Sequence, residues 1–291
     1  MASSLKEDAK VERPDCWTLP SDHPRFRGFE GPIVGLEQAS LVVLNFIVAA
    51  LFCDVAAAGR GLLKGIAALL LVGPPGCAKT SLVWKCLNGS AQTFKSCIKV
   101  VALSCSQVFD GELGRSAKNL DARFDRCESL LGVGYRVALV LDDIEAVGLA
   151  RTHTATSANP ADLAHTLTVL LKRLDELANC PRFAVFGTSN HPGLLDPALL
   201  DRFGPVIHIP LPDIEARRRI LATHLGGENA QVLKDDSAEL DRVLRRVEGW
   251  SGRALMQRLL QTAMLLTGKP AIELSCTDLN AALDLLSENT K

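Results

Sequence analysis

Ala67-Ala-Leu-Leu-Leu-Val72 runs into Gly73-Pro-Pro-Gly-Cys-Ala-Lys-Thr80, and a helical pattern opens at Ser81. An apolar strand that turns through glycines into a helix N-terminus offers several backbone N–H groups to an anion. The positive end of the helix dipole points the same way. Lys79 adds a point charge for terminal phosphates, and the Thr80 hydroxyl is a Mg²⁺ ligand in such a loop. Gly73, Pro74, Pro75, Gly76, Cys77, Ala78, Lys79, Thr80 and Ser81 are therefore the candidate nucleotide-binding residues. Ala78 stands where a third glycine is expected, and its methyl narrows the phosphate approach without blocking it. The competing reading is a bland loop of the same composition, which the flanking strand and helix disfavour.

The chain around this loop has 291 residues, 47% hydrophobic and 22% charged, which describes one large or two ordinary globular domains with a real core. A net charge of −1 supplies no field for nucleic acid or an acidic membrane. Nine cysteines without a C-x-x-C pair argue against a disulfide framework and a zinc knuckle, and for a reducing, intracellular compartment. Cys77 is either a reactive thiol in the loop or a buried bystander. Met1 to Pro20 lacks the apolar core of a secretory leader. The apolar run from Leu41 to Cys53 is interrupted by Asn45 and followed by Asp54. It falls short of the roughly 20 residues of a spanning helix and reads as a buried helix. Six scattered histidines predict no transition-metal site.

Apolar strands expected at 68–72, 98–103, 136–141, 183–186 and 206–209 alternate with helices at 80–87, 116–130, 160–177 and 192–200. Continuous apolar strands suit a parallel sheet covered on both faces. After Pro212 only helices are expected, at 214–225, 240–248, 252–266 and 279–287. The reading is a polar tail (1–17), a large α/β domain with a five-stranded parallel sheet (18–211) and a small all-α lid (212–291).

The third strand ends Ala138-Leu-Val-Leu-Asp142-Asp143. Its end at the carboxyl edge of the sheet allows Asp142 to hold Mg²⁺ and Asp143 to polarise an attacking water. The alternative is a strand-to-helix turn with a capping aspartate. The fourth strand, Phe183-Ala-Val-Phe-Gly-Thr-Ser-Asn190, is expected between the strands of the loop and of Asp142. Asn190 then orients water near the γ-phosphate, unless Ser189 or Asn190 merely caps the helix entered at Pro192.

These elements, with Leu195-Asp-Pro-Ala-Leu-Leu-Asp-Arg-Phe203, resemble the AAA+ class of P-loop ATPases. Pro212-Asp-Ile-Glu-Ala-Arg-Arg-Arg-Ile-Leu221 is similar to the helix that opens that class's lid. Gly249-Trp-Ser-Gly-Arg-Ala-Leu255 is similar to its sensor-2 segment. Arg253 there, the single-arginine Asp201-Arg202 and Thr168-Val-Leu-Leu-Lys-Arg-Leu-Asp175 resemble the pachytene-checkpoint subfamily, which remodels HORMA-domain proteins. So do Leu19-Pro20, Phe29-Glu30 and Asn159-Pro-Ala-Asp162.

The resemblance implies ATP and Mg²⁺ as cofactors, a ring of usually six subunits and a protein substrate, HORMA-domain proteins among the candidates. It implies no direct nucleic-acid or membrane partner, and a place in the nucleus, on chromosomes or in the cytoplasm. Arg202 would be the arginine finger for the neighbouring subunit, against an internal ion pair with Asp201 or Asp196. Arg253 would couple nucleotide state to the lid, against a solvated arginine in a first helical turn. Asp143 stands where the class carries glutamate; its arm is shorter by about 1 Å, and a misplacement of that size costs roughly a hundredfold in rate. Glu145, two residues on, does not obviously replace it. Phe109 is the one aromatic candidate for a pore loop, within Gln107-Val-Phe-Asp-Gly-Glu-Leu-Gly114, and otherwise a core residue. The subfamily reaches its substrate through an adaptor or a separate N-terminal domain; most of the 72 residues before Gly73 are accounted for by the ATPase domain, which speaks against adaptor recognition of that kind.

Three readings follow. One is a ring ATPase that remodels protein partners, and a second is a nucleotide-binding, weakly hydrolysing structural or regulatory subunit of a mixed ring. The third, a DNA-acting relative, is disfavoured because Arg217-Arg-Arg219 with Glu215 reads as a solvated face. No Asn/Thr-Lys-x-Asp segment supports a GTPase.

Overall fold

A computed structural model describes residues 16–17, 33–53, 68–108, 115–149, 160–226 and 237–288. They fall into two compact units. One draws on Met1–Phe29, Gln38–Val72 and Thr80–His208, the other on Glu30–Glu37, Gly73–Lys79 and Ile209–Lys291.

The first unit is a sheet clad by helices. In chain order its elements are β1 (Cys16–Trp17), α1 (Glu37–Ile47, with a π-helical turn Val48–Phe52), β2 (Ala68–Val72), α2 (Lys79–Thr93) and β3 (Ile98–Ser104). There follow α3 (Arg115–Gly132), β4 (Arg136–Asp142), α4 (Pro160–Leu177), β5 (Phe183–Ser189), α5 (Pro197–Arg202) and β6 (Val206–His208). The sheet order is β1-β3-β4-β5-β2-β6, parallel except for β1, which pairs antiparallel with β3.

The five parallel strands stand where the apolar runs place them, because both faces are covered. Leu70, Leu103, Leu139, Leu141 and Val185 pack with Phe124 of α3 and Leu170 of α4. On the α1 and α2 side Leu69 and Leu71 are fully buried, as is Trp84, and Phe46 meets Phe186 edge-on at 5.4 Å. Truncating one such core leucine to alanine costs ~2–5 kcal/mol. The run from Leu41 is α1, with Val43, Phe46 and Ile47 buried. No helix among the described residues is long and apolar enough to cross a membrane.

Several boundaries differ from the expectation. A two-residue strand such as β1 has no periodicity to detect. β5 runs on through Gly187, Thr188 and Ser189, which pair with Leu70, Leu71 and Val72. Small residues are needed there, since a Cβ on Gly187 would lie 2.9 Å from both Leu70 and Phe203 side chains. The helix expected at 192–200 is instead a 3-10 turn, Pro192–Leu194, and α5. Asp196 breaks them apart by accepting from the Ala198 N–H, with Pro197 pre-set for the first helical position.

The second unit contains α6 (Ile214–His224), α7 (Ser237–Arg246), α8 and α9 (Cys276–Glu288). α8 is α-helical over Gly252–Ala254, π-helical over Leu255–Leu260 and α-helical again over Gln261–Thr267. Leu221, Leu244, Leu255, Leu259, Leu279 and Leu283 form its core. Asp213 caps α6 by accepting from the Ala216 N–H at 2.7 Å. The three-arginine run is a solvated face at Arg219 but not at Arg217. Arg217 is 6% exposed and donates to the Pro212 carbonyl, Arg218 pairs with Asp241, and Arg219 pairs with Glu37 at 3.0 Å.

Candidate functional site

The glycine loop belongs to the helical unit, and two of its glycines are required by close backbone approach. Gly73 has φ +154°, and a Cβ on it would lie 2.1 Å from the Ile209 carbonyl oxygen. Gly76 has φ +79°, and a Cβ would meet Ser251 Oγ at 2.6 Å and Arg253 Cβ at 2.8 Å. The first turn of α8 is thus laid directly on the loop. Arg253 donates its backbone N–H to the Gly76 carbonyl at 3.2 Å, while Ser251 caps the helix through the Ala254 N–H. Arg253 is exposed, its side chain clear of the core. Lys79 is 6% exposed and its ammonium donates to the carbonyls of Gly73 (2.7 Å) and Pro74 (2.9 Å). Ala78 takes the left-handed conformation, φ +65°, that its glycine counterpart adopts without cost. Cys77 is buried, and that burial pushes its thiol up despite the Lys79 charge, which makes it the bystander of the two readings.

In the sheet unit the carboxylates gather at the carboxyl edge. β5 lies between β2 and β4, so Thr188, Ser189 and Asn190 end beside Asp142 and Asp143. Asp142 Oδ1 accepts from the Thr80 hydroxyl at 2.7 Å and from the Thr188 hydroxyl at 2.5 Å, so it caps nothing. Thr80 and Asp142 form an all-oxygen donor pair, the chemistry Mg²⁺ prefers. Asp143 adopts the left-handed region (φ +53°), which aspartate tolerates better than most residues. Its N–H donates to Thr188 Oγ1 at 3.3 Å, and its Oδ1 accepts from the Asn190 side-chain amide at 2.8 Å. Asn190 therefore joins the acids, whereas Ser189 Oγ accepts the His191 N–H and the turn entered at Pro192 has no side-chain cap.

Two residues here were not anticipated. The 3-10 turn Ile144–Ala146 curls the chain back, and Glu145 Oε1 accepts the Asn190 backbone N–H at 3.0 Å. Thr188 is 1% exposed and joins Asp142 to the backbone of Asp143. A serine- or threonine-rich strand end is the only mark of Thr188 in the chain, and Glu145 has none, because its reach depends on the turn. All three acids surround Cys105: burial first, then Asp142, Asp143 and Glu145, hold its thiol well above the ordinary value.

Arg202 sits apart. Its guanidinium donates to Asp175 at 2.9 Å and to the Ala198 carbonyl, and it lines a pocket with Ala68 and Val185. The ion pair is with Asp175, not with Asp201 or Asp196. Val185 precedes Ser189 by four residues, about 13 Å along the strand, which is beyond one arginine side chain. Phe109 and the segment around it lie outside the described residues, as do Leu19-Pro20 and Phe29-Glu30.

A model of the "ATPase family associated with various cellular activities (AAA)" matches residues 69–211. Among curated relatives, the ATP-dependent zinc metalloprotease FtsH 3 of Synechocystis is 29% identical over 260 residues, 87% of this chain and 39% of the relative. The proteasome-activating nucleotidase of Methanosphaerula palustris is 31% identical over 204 residues, 69% of this chain and 45% of the relative. The chain thus spans well under two thirds of the curated relatives it matches. Among solved structures, a chain of the E. coli MS115-1 HORMA:CdnC:Trip13 complex superposes with TM-score 0.71 and 20% identity, over 92% of this chain and 91% of that one. C. elegans PCH-2 gives TM-score 0.72 and 19% identity, over 94% and 75%. At these identities the structural likeness speaks for the fold. The family model takes in both the strand before the loop and the whole acidic edge, so residues 69–211 match an AAA ATPase domain.

Proposed function

We propose that this chain binds ATP with Mg²⁺ and hydrolyses it as a subunit of a ring, using the energy to remodel a protein partner. The observation that carries the reading is the meeting of Thr80, Asp142, Asp143 and Asn190 at one sheet edge, held by hydrogen bonds of 2.7–2.8 Å. Gly73 to Ser81 bind the phosphates, Lys79 exchanging its own loop carbonyls for phosphate oxygens. Thr80 and Asp142 would hold Mg²⁺, which when bound would supply charge neutralisation on the phosphates. Asp143 accepts a proton from the attacking water and Asn190 keeps that carboxylate in place. Arg202, too far along β5 to serve its own edge, acts as the finger in the adjoining subunit, and Arg253 links the nucleotide to the lid. The likeness to Trip13 and PCH-2 supports HORMA-domain proteins as the class of partner. By the same likeness we place the protein inside the cell.

The test is ATP turnover and ATP affinity for the wild type, Lys79→Ala and Arg202→Ala. We expect Lys79→Ala to lose binding, and Arg202→Ala to bind normally while losing about 10³-fold or more in turnover. A wild type that binds no ATP would sink the reading. The shortened acid favours a second reading, a regulatory subunit that binds ATP and turns it over slowly. On that reading Asp143→Glu raises the rate by about tenfold to a hundredfold. A fall in rate would dismiss it.

A further inference from the structure

A short acid at the hydrolytic position leaves little slack, so its placement has to come from its neighbours. The left-handed backbone of Asp143 needs the same support, since such a conformation persists only where the surroundings over-determine it. Two residues outside the glycine loop provide the support. Thr188, on β5, receives the Asp143 N–H and spends its own proton on Asp142 Oδ1, so one hydroxyl sets both acids. Glu145 receives the backbone N–H of Asn190, whose amide in turn holds Asp143 Oδ1. Its second oxygen, Oε2, is buried and accepts nothing from the described residues. A glutamine would take the same N–H but would set an amide –NH₂ where Oε2 lies.

We propose that Thr188 and Glu145 are positioning residues for hydrolysis, bracketing Asp143 from two sides and compensating for its short arm. Thr188 acts on the backbone, and Glu145 acts through Asn190. The inference rests on the ATPase reading and adds to it the residues that make an aspartate serviceable where a glutamate is usual.

Glu145 separates rate from affinity, because it bonds Asn190 and not the Thr80–Asp142 pair, whereas Thr188 shares Asp142 Oδ1 with Thr80. The experiment measures kcat and ATP affinity for Thr188→Val, Thr188→Ser, Glu145→Ala, Glu145→Gln, Asn190→Ala and the double variant Glu145→Ala/Asn190→Ala. Glu145→Ala is expected to lower kcat by about 10- to 100-fold while ATP affinity stays within about twofold; Thr188→Val lowers kcat by a similar factor, and its affinity falls as well where the loss reaches Asp142. Thr188→Ser restores most of the rate lost in Thr188→Val. Glu145→Gln restores only part, because it keeps the acceptor and removes the charge. The double variant falls no further than Asn190→Ala, since Glu145 acts through that residue. Denaturant midpoints guard against misfolding; if Thr188→Val unfolds, Thr188→Ser and the Glu145 pair decide. Wild-type kcat in Glu145→Ala, or a double variant slower by the product of the single effects, would overturn the proposal. An inactive wild type in the same assay would instead overturn the ATPase reading, and the inference with it.

Discussion

Ala78 holds a backbone conformation, φ +65°, in which its methyl crowds the following carbonyl, at a cost of about 1–2 kcal/mol. Glycine would remove that strain and give back about 0.4–1 kcal/mol through the freer unfolded chain. Ala78→Gly should therefore raise stability by about 0.5 kcal/mol, whereas Ala78→Val, a β-branched residue in the same region, should lower it by more than 1 kcal/mol. Urea unfolding of both variants checks the prediction, and a stabilising valine would refute it. Gly76 offers no such latitude, because Ser251 and Arg253 occupy the space a side chain would take. The phosphate loop thus tolerates one substitution for glycine and forbids another, and the difference lies in what packs against each.

At the level of helices and strands, the ends are specified by a few polar groups. α9 begins in a reciprocal box: the Asp278 N–H donates to Ser275 Oγ, and the Ser275 N–H donates to Asp278 Oδ2 at 2.9 Å. Lys269 first, and then the Ser275 N–H, hold the Asp278 carboxyl below its ordinary 3.8. A group depressed on folding contributes stability that is fully present above the unfolded value and disappears as pH falls through the folded one. Asp278→Asn should cost about 1 kcal/mol at pH 7, and the gap from wild type should close as pH falls from 3.8 through the depressed folded value. Unfolding midpoints at neutral pH and in acid test this, and a gap unchanged in acid would contradict it. Between α3 and α4 a single guanidinium, Arg173, takes the carboxylates of Asp121, Asp125, Glu128 and Glu176 and ties the two helices by charge. The Asp175–Arg202 pair at the end of α4 is of another kind. Both partners are solvent-exposed enough that it is worth less than about 1 kcal/mol, a hold that Arg202 can leave readily.

On the proposed ring, the placement of Arg202 away from its own acidic edge has a direct consequence. If Lys79 and Arg202 serve one site from two subunits, each variant alone is inactive, but a mixture is not. In a random one-to-one mixture of Lys79→Ala and Arg202→Ala, about a quarter of the interfaces pair an intact Lys79 with an intact Arg202. Turnover should recover to about that fraction of wild type on mixing, and no recovery would place Arg202 in its own subunit's site. The exposed apolar side chains Leu265 and Leu266 on α8 are consistent with a chain that has further contacts to make.

Apolar runs that lack polar alternation were enough to locate five parallel strands, because a strand covered on both faces leaves no position for a polar residue. Gly73 to Thr80 and Asp142 could be singled out for a related reason, since a phosphate and a divalent cation would demand particular donors there, and the fold joins Thr80 to Asp142. Asn190 could be named from the strand order, though not its bond to Asp143. Thr188, Glu145, the Asp175–Arg202 pair and the burial of Arg217 were not legible in the chain. Each depends on partners brought close by strand register or by one tight turn, and hydrogen bonds at 3 Å are set by that packing rather than by spacing along the chain. The same holds for Gly76, marked as a phosphate-loop glycine by its motif, yet made indispensable by Ser251 and Arg253, more than 170 residues away.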